Sequence, residues 1–278
     1  MKSGFRSGMK VAYIKMQSAL DVGLRTCWEL IVMLLSVVMP CLNEAKTLAR
    51  CIEKAKAAIK EMKVDGEIIV ADNGSGDSSV RIAESLGAKV IHQPKRGYGN
   101  ACRAGIEAAR GRYIVMGDAD DTYDFREIPK FVRKLEEGYD LVMGSRLRGE
   151  ILPGAMSLTH KVGNLFLTGV LNLLFGAGVS DAHCGMRAFT KKAYDEMELR
   201  GEGMEFASEM VIAAVARGMR IGEVSIRYYP RDEGSISKLR ALRDGWRHLR
   251  FMVSRWVEGS RGGSDFNVRG QKLKERRK

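Results

Sequence analysis

Short apolar runs alternate with amphipathic stretches along this 278-residue chain from residue 34 onwards. Residues 34–39 form an almost continuous apolar run that is typical of a buried strand, and Pro40 is expected to end it. Residues 46–62 then repeat apolar side chains every three or four positions, which predicts a helix with one buried face. The same alternation predicts strands at 67–71, 89–92, 113–117, 140–143 and 223–229, and helices at 78–86, 100–110, 125–137 and 204–217.

This alternation predicts an α/β fold in which helices cover both faces of a mostly parallel sheet. A helical hairpin is expected to interrupt the pattern at about 156–179. We expect one large domain at 33–237, between an N-terminal extension at 1–32 and a basic amphipathic helix at 238–257. The basic tail at 258–278 has few large apolar side chains, so we expect it to be disordered.

The cysteines and the apolar runs limit the classes of protein that this chain can belong to. Its five cysteines are irregularly spaced and form no C-x-x-C pair, which argues against a disulfide framework and a zinc site and fits a reducing compartment. No apolar run reaches the roughly 18–20 residues that a membrane-spanning helix needs. Residues 1–30 also lack the apolar core of a signal peptide. We therefore expect a cytoplasmic protein.

The net charge of +12 is concentrated at the two ends of the chain. Residues 1–32 carry five Lys or Arg against two acids, and residues 238–278 carry thirteen against four. The stretch between them is neutral, which indicates a basic docking segment rather than a basic cleft. We expect no nucleic-acid partner.

The helix predicted at 238–257 is both basic and amphipathic. Apolar side chains recur at three- and four-residue spacing, namely Leu239, Leu242, Trp246, Leu249, Val253 and Trp256. Basic side chains lie between them against a single acid, Asp244: Lys238, Arg240, Arg243, Arg247, Arg250 and Arg255. This pattern is typical of a helix that lies in a membrane interface, with the apolar stretch 165–179 as a second contact. The alternative is a helix docked on the core with a solvated basic face.

Two carboxylates directly follow the apolar strand predicted at 113–117. Asp118 and Asp120 stand in the sequence Gly-Asp-Ala-Asp-Asp, at the strand end where ligands of such sheets bind. Carboxylate oxygens are hard ligands that suit Mg²⁺ or Mn²⁺, and these ions often complete their shell with substrate phosphates. We interpret the pair as a metal site, and the alternative is a solvated acidic turn.

Polar residues also follow the first two predicted strands. Asn43 and Glu44 come shortly after Pro40, and the alternative to a binding role is a turn in which Asn43 caps the next helix. Asp72 and Asn73 follow the second strand, where they either contact a nucleobase or form an Asx turn before a glycine.

These three motifs resemble the nucleotide-sugar-binding half of the family 2 glycosyltransferases, which have the GT-A fold. The resemblance continues, in order, through residues 96–101, 144–146, 181–189 and 222–226, and ends with Arg231 and Ser237-Lys238. The set as a whole is similar to the dolichyl-phosphate mannose or glucose synthases over about residues 34–240. The resemblance implies a metal-dependent, inverting enzyme that transfers a hexose from a GDP- or UDP-sugar to a polyprenyl phosphate at the cytoplasmic face of a membrane.

The resemblance also implies roles for individual residues. The nucleotide-sugar donor would contact Pro40, Leu42, Glu44, Ala71, Asp72, Asn73, Asp118, Ala119 and Asp120. Asp118 and Asp120 would bind the metal, and Asp118, Asp120 and Arg146 would be catalytic. The phosphate groups of donor or acceptor would meet Arg146, Arg231 and Lys238.

The chain departs from the resembled enzymes at three places. Leu42 replaces a frequent aromatic residue, Asp121-Thr-Tyr-Asp124 follows the carboxylate pair, and residues 156–162 offer His160 and Lys161 instead of an arginine. These differences leave the nucleotide and the sugar open.

The acceptor determines which other groups the reaction needs. A phosphate monoester is already ionised and needs only cations to hold it, for which the planar fork of arginine is suited. A saccharide hydroxyl needs a carboxylate base, for which Glu205 or Glu209 are the candidates, although both residues more simply pair with nearby basic groups. A nucleotidyltransferase or a non-catalytic nucleotide-sugar-binding module is the alternative from another class.

Overall fold

The computed structural model describes residues 34–232 and 241–260. The predicted N-terminal extension, Lys238 and nearly all of the predicted tail therefore lie outside the described residues.

Seven strands form one sheet in the order β3-β2-β1-β4-β6-β5-β7. Neighbouring strands are parallel except at β6, which is antiparallel to both β4 and β5. The strands are β1 (Leu35–Cys41), β2 (Gly66–Asp72), β3 (Lys89–His92), β4 (Tyr113–Met116), β5 (Leu141–Ile151), β6 (Arg187–Thr190) and β7 (Ile221–Tyr228). The α/β class with a mostly parallel sheet is thus confirmed.

Helices connect the strands on both faces of the sheet. They are α1 (Leu48–Met62), α2 (Ser79–Ser85), α3 (Tyr98–Glu107), α4 (Ile128–Glu136), α5 (Leu158–Phe175), α6 (Lys191–Met197), α7 (Phe206–Ala216) and α8 (Ala241–Ser260). A short 3-10 turn, Phe125–Glu127, precedes α4.

The alternating side chains of β1 divide the core into two layers. Leu35, Val37 and Met39 face a cluster that includes the apolar residues of α1 and α4. Val38 faces the opposite cluster, to which α3, α5, α7 and α8 contribute. Since successive strand side chains point to opposite faces, a strand buried on both sides needs the nearly continuous apolar run that its sequence shows.

The described cysteines all lie in these two layers as free, buried thiols: Cys41, Cys51, Cys102 and Cys184. Burial raises the pKa of each thiol above its ordinary value, to about 11 at Cys41 and about 12 at Cys184.

The prediction that Pro40 ends the first strand is wrong, because β1 continues through Pro40 to Cys41. The carbonyl of Val38 accepts a hydrogen bond from Gly117 on the β4 side, whereas the carbonyl of Cys41 accepts one from Asn73 on the β2 side. By this alternation the nitrogen of Pro40 faces the β4 side, where β4 has already ended at Met116. The missing N–H therefore costs no hydrogen bond of the sheet.

The predicted helical hairpin at 156–179 is also wrong, because this region contains one continuous helix, α5. Ser157 caps its start by accepting a hydrogen bond from the backbone N–H of His160, and Gly176 ends it in a left-handed conformation. Gly163 and Gly169 lie inside the helix with open space beside them. A single helical glycine costs only about 1 kcal/mol, so neither residue breaks the helix.

Strand β6 and helix α6 have no counterpart among the predicted elements. The strand begins with Arg187, a residue type that is rarely fully buried, yet Arg187 is only 1 % exposed. Its guanidinium donates hydrogen bonds to the carbonyls of Cys184, Ala207 and Ala182 at 2.7–2.8 Å. Arg187 therefore fastens the loop before β6 to the start of α7.

Replacing Arg187 by methionine is expected to destabilise the protein by about 3 kcal/mol or more, because three buried carbonyls lose their donor. Denaturant unfolding monitored by circular dichroism measures this change. The same substitution at the exposed Arg81 is the control and should change the free energy of unfolding by no more than about 0.5 kcal/mol. Equal effects at the two positions would contradict the anchoring role of Arg187.

Candidate active site

The topology of the sheet leaves a crevice at the carboxyl ends of β1 and β4. Strands β1, β2 and β3 follow one another outward in one direction, and β4 then returns to the other side of β1. Connections that diverge from two neighbouring strands in this way leave a cleft in which α/β proteins bind ligands. Asp118 and Asp120 follow β4 at this edge, as the sequence predicted.

Asp118 is a partly buried carboxylate whose hydrogen-bond partner is a hydroxyl. Tyr98, at the start of α3, donates to Oδ1 of Asp118 at 2.9 Å. Burial, followed by the negative charge of Asp120, raises the pKa of Asp118 to about 6. A cation bound at this point would offset both effects, since burial of a carboxylate is tolerated when its charge is paired.

Asp120 is held from two sides. Its Oδ1 accepts hydrogen bonds from the backbone N–H and the hydroxyl of Thr122, at 3.1 and 2.6 Å. Its Oδ2 forms an ion pair with Nη2 of Arg231. Nη1 of Arg231 is buried and has no hydrogen-bond partner among residues 34–232 and 241–260. Beside the two carboxylates there is thus a guanidinium N–H that is available to an anionic oxygen.

The two carboxylates fit a hard divalent cation that takes its remaining ligands from elsewhere. Residues 34–232 and 241–260 contain no cluster of three or more His, Cys, Asp or Glu side chains placed to hold a metal ion. Mg²⁺ and Mn²⁺ are commonly held by one or two carboxylates, with water and substrate phosphates completing the shell. Asp118 and Asp120 would hold such an ion.

Arg146 is buried beside the carboxylate of Asp181. Asp181 lies in the motif at 181–189, but the sequence indicated no role for it. Nε and Nη2 of Arg146 donate to the two oxygens of Asp181, each at 2.8 Å, and the backbone N–H of Arg146 donates to the same group. The guanidinium lies over the ring of Tyr228, 5.1 Å from the centroid. Strand β5 changes register with β7 between Ser145 and Glu150, and an irregularity of this kind re-aims side chains.

The basic groups of the site converge from three elements. His160, in the first turn of α5, has its pKa lowered by burial and then by the positive charges of Arg146 and Arg231. His160 therefore lies near both arginines, in the segment where the family resemblance led us to expect an arginine. Lys238, the third predicted phosphate contact, lies outside the described residues.

The predicted donor contacts lie together at the ends of β1 and β2. Pro40 pairs in register with Ala71, and Leu42 and Glu44 follow in the next turn. Ala71 is fully buried, with no exposed surface for a ligand to contact. Asp72 accepts hydrogen bonds from the backbone N–H groups of residues 74 and 75, which is the Asx turn considered as its alternative role.

Asn73 joins the end of β2 to the segment before α3. Its amide donates to the carbonyls of Gln93 and Lys95, and its Oδ1 accepts from the backbone N–H of Gly97. Any nucleobase contact of Asn73 would therefore compete with three internal hydrogen bonds.

The alternative interpretation of Asn43 as a helix cap is wrong. Asn43 has a left-handed backbone with a φ of 54° and accepts a hydrogen bond from the backbone N–H of Gly76. Thr47 occupies the position before α1, and its hydroxyl donates to the carbonyl of Ala119. Asn43 thus links the turns after β1 and β2, where a donor would lie.

Glu205 and Glu209 are engaged in local hydrogen bonds. Glu205 accepts from the backbone N–H groups of residues 202 and 203, and it forms an ion pair with Arg247 of 2.6 Å. Glu209 accepts from the N–H groups of residues 200 and 201 and lies 3.9 Å from Arg255. Both carboxylates support the turn before α7 and pair with arginines of α8.

Sequence reasoning assigned no role to Tyr98, Tyr228, Asp181 or Gly185. Tyr98 stands in the motif at 96–101 and Tyr228 lies in a predicted strand, but only the fold brings their side chains to the site. Asp181 and Gly185 stand in a motif that was recognised as a whole, but their partners, Arg146 and Asp118, are distant along the chain. A Cβ atom at Gly185 would lie 2.5 Å from Oδ2 of Asp118, so a larger residue here would force the carboxylate to move.

Comparison with known proteins gives a family match and close relatives. The model of the family Glycosyl transferase family 2 matches residues 36–198. The chain is 52% identical over 221 residues to the low-salt glycan biosynthesis hexosyltransferase Agl6 of Haloferax volcanii, covering 79% of this chain and 53% of Agl6. It thus spans about half the length of that relative. It is 34% identical to a dolichyl-phosphate hexose transferase of the same organism, over 71% of this chain and 83% of the relative.

Solved structures confirm the GT-A fold. Glucosyl-3-phosphoglycerate synthase from Mycobacterium tuberculosis, in complex with Mn²⁺, UDP-glucose and phosphoglyceric acid, superposes with a TM-score of 0.66. The alignment covers 81% of this chain and 80% of that one, at 22% identity. At this identity the likeness concerns the fold.

Replacing Gly185 by alanine is expected to displace the Asp118 carboxylate and to lower the rate of hexose transfer by at least about tenfold. Steady-state kinetics with saturating nucleotide sugar measures the effect. Gly169→Ala is the matched control, because the space beside Gly169 is open, and it should leave the rate unchanged. Normal activity of the Gly185 variant would show that the position of Asp118 does not matter.

Proposed function

This chain belongs to glycosyl transferase family 2, and on that premise we propose that it transfers a hexose from a nucleotide sugar to a polyprenyl phosphate at a membrane surface. The proposal rests chiefly on Arg231, whose buried Nη1 has no partner in the part of the chain that the structure describes, while its Nη2 pairs with Asp120. A guanidinium in this state is suited to a phosphate oxygen. The name of the dolichyl-phosphate hexose transferase of Haloferax volcanii points to the same class of acceptor.

The donor would occupy the crevice between the ends of β1 and β4. Its nucleoside would lie near Pro40, Leu42 and Glu44, and its diphosphate near Asp118 and Asp120. A bound Mg²⁺ or Mn²⁺ would supply positive charge that offsets the charge on the departing diphosphate.

The acceptor phosphate would be held by basic groups without a general base. Arg231 would offer its Nη1 to a phosphate oxygen, with the guanidinium of Arg146 and the ring of His160 nearby. An ionised phosphate oxygen would attack the anomeric carbon as the bond to the nucleoside diphosphate breaks, and the configuration would invert. No proton has to be removed, which agrees with the engagement of Glu205 and Glu209 in local hydrogen bonds.

An apolar surface on α5 and α8 supports membrane docking. Five large apolar side chains on one side of α5 are at least half exposed: Leu158, Val162, Leu165, Phe166 and Leu173. Helix α8 packs beside α5 and adds the exposed Trp246 and Val253. Exposed apolar side chains on two neighbouring helices, one of which is rich in arginine, are typical of an interfacial surface.

Helix α8 has features of both interpretations made from the sequence, namely a helix in a membrane interface and a helix docked on the core. The face with His248 and Met252 is buried, and Leu249 and Trp256 pack against the core. The expectation that both tryptophans of α8 belong to the interfacial stripe is therefore wrong for Trp256. None of the helices in the described residues is long and apolar enough to cross a membrane. We propose peripheral binding at the cytoplasmic face, through one side of α8 and α5.

Chelation of divalent cations is expected to abolish transfer. Asp120→Asn should do the same; it keeps the hydrogen bonds from Thr122 but loses the ion pair with Arg231, so circular dichroism is recorded to confirm that the variant is folded. Radiolabelled hexose transfer, with and without added Mn²⁺ or Mg²⁺, measures the effect. Full activity in excess chelator would remove the metal from the proposal.

The acceptor is tested by incubating the enzyme with UDP- and GDP-hexoses and either polyprenyl phosphate or a free oligosaccharide, followed by lipid extraction. Arg231→Lys keeps the charge but loses the fork, so we expect at least about a tenfold loss of transfer to lipid. Glu209→Gln should have a much smaller effect. The reverse pattern, with label on the oligosaccharide, would make the acceptor a saccharide hydroxyl.

Membrane docking is tested by reversing two exposed charges of α8. Arg243→Glu with Arg250→Glu should weaken binding to phosphatidylserine vesicles, since each basic residue near such a surface contributes about 1 kcal/mol. Arg247 is left unchanged because it pairs with Glu205. The control reverses Lys60 and Arg81, which are exposed on α1 and α2, and should keep vesicle binding in a flotation assay. Equal losses from both double variants would place the docking surface elsewhere.

A further inference from the structure

A chain of buried side-chain hydrogen bonds runs from α8 to the ion pair of Arg146. Nδ1 of His248 lies 2.7 Å from the hydroxyl oxygen of Ser208, which lies 3.0 Å from Nε2 of His183. Nδ1 of His183 lies 3.2 Å from Oδ1 of Asn164, and Nδ2 of Asn164 lies 2.8 Å from Oδ1 of Asp181. Four segments thus meet in one network: α8, α7, the loop before β6, and α5.

The ionised end of the chain fixes the direction of every hydrogen bond. Asp181 pairs with Arg146, and its pKa is lowered by the hydrogen bonds and charge of Arg146 against the opposing effect of burial. A carboxylate only accepts, so the amide nitrogen of Asn164 must face it and donate. Oδ1 of Asn164 is then an acceptor, and His183 must carry its proton on Nδ1.

The same reasoning continues to α8. Burial and the positive charge around it lower the pKa of His183 far below its ordinary value, so its ring is neutral and Nε2 accepts. The hydroxyl of Ser208 therefore donates to His183. Its oxygen then accepts from His248, which must carry a proton on Nδ1. Reversing any link would place two acceptors or two donors against each other, and each such mismatch leaves a buried polar group unsatisfied.

We propose that Asn164, His183, Ser208 and His248 are positioning residues that form a one-way hydrogen-bonded chain and thereby couple the packing of α8 to the placement of Arg146. Asn164 donates a hydrogen bond to Oδ1 of Asp181, and Arg146 donates to both oxygens of the same carboxylate. The guanidinium therefore has a single orientation. The packing face of α8 carries His248, and its other side exposes Trp246 and Val253. The packing of α8 against α7 is therefore linked, through Ser208, to the orientation of the Arg146 guanidinium. The effect of this link on the acceptor phosphate rests on the proposed function.

The proton positions are tested without any assay of activity. The chain has four histidines, so ¹⁵N-labelled imidazoles give a spectrum in which single His→Asn or His→Gln variants assign each ring. We expect His183 and His248 to appear as neutral rings protonated on Nδ1 at pH 7. His92, which is exposed and has Nδ1 3.5 Å from the carboxylate of Asp72, serves as the internal reference for a ring that solvent reaches. Protonation on Nε2, or a charged ring, at either position would overturn the one-way chain.

The coupling to Arg146 is tested with variants of His248 in the full-length enzyme. His248→Asn keeps an N–H donor near the position of Nδ1, whereas His248→Leu removes the donor. We expect His248→Leu to raise the KM for polyprenyl phosphate about fivefold or more, with the KM for the nucleotide sugar unchanged and His248→Asn close to wild type. Met252→Leu, at the neighbouring buried position of α8, controls for packing and should leave both constants unchanged.

The possible outcomes separate this inference from the proposed function. A fall in thermal stability with both KM values unchanged would give His248 a structural role only and overturn the coupling. Equal effects of the asparagine and leucine variants would show that the donor does not matter and would also overturn it. A wild-type enzyme that transfers no hexose to polyprenyl phosphate would refute the proposed acceptor, and the imidazole spectrum would still decide whether the chain exists.

Discussion

The site depends on the buried guanidinium of Arg187, which fixes the loop at residues 182–184 by hydrogen bonds. Its hydrogen bonds go to three backbone carbonyls, two of them in this loop and one in α7. The cost of burying a cation is offset here by oriented carbonyl dipoles. The residues that flank the loop position side chains of the site: Asp181 orients Arg146, and Gly185 leaves room for Asp118. A shift of the loop would therefore disturb Arg146 and Asp118 together.

The charges of the site are arranged so that the protein alone balances most of them. Asp181 is paired with Arg146 and Asp120 with Arg231, whereas the hydrogen-bond partner of Asp118 is the hydroxyl of Tyr98. Buried ion pairs of this kind contribute little net stability, but they fix orientation when every donor and acceptor is satisfied. The exception among the described residues of the site is Nη1 of Arg231, and Asp118 has no positive partner there, so an added anion beside Arg231 and a cation beside Asp118 would complete the arrangement. In the proposed function the acceptor phosphate would supply the anion, and the divalent cation bound with the nucleotide sugar would supply the positive charge.

The sequence predicted the parts of the fold that are written in local patterns. Strand ends and helix faces follow from the period of apolar residues, so the placement of Asp118 and Asp120 at the sheet edge could be foreseen. Pairs that join distant segments could not be foreseen. No local pattern around Asp181 indicates that it pairs with Arg146, and none around Tyr98 indicates that it bonds to Asp118. The prediction that Pro40 ends the first strand failed for a related reason. The missing N–H of Pro40 costs no hydrogen bond of the sheet because β4, a distant segment, has already ended there.

The buried cysteines give the folded protein a property that its composition would not suggest. Thiols react with alkylating reagents as thiolates, and burial keeps those of Cys41, Cys51, Cys102 and Cys184 protonated and covered. Modification of these four positions therefore requires the structure to open. Three of them belong to the layer beneath α1 and α4, and Cys102 belongs to the opposite layer. Their rates of alkylation report separately how often each side of the sheet is exposed to solvent.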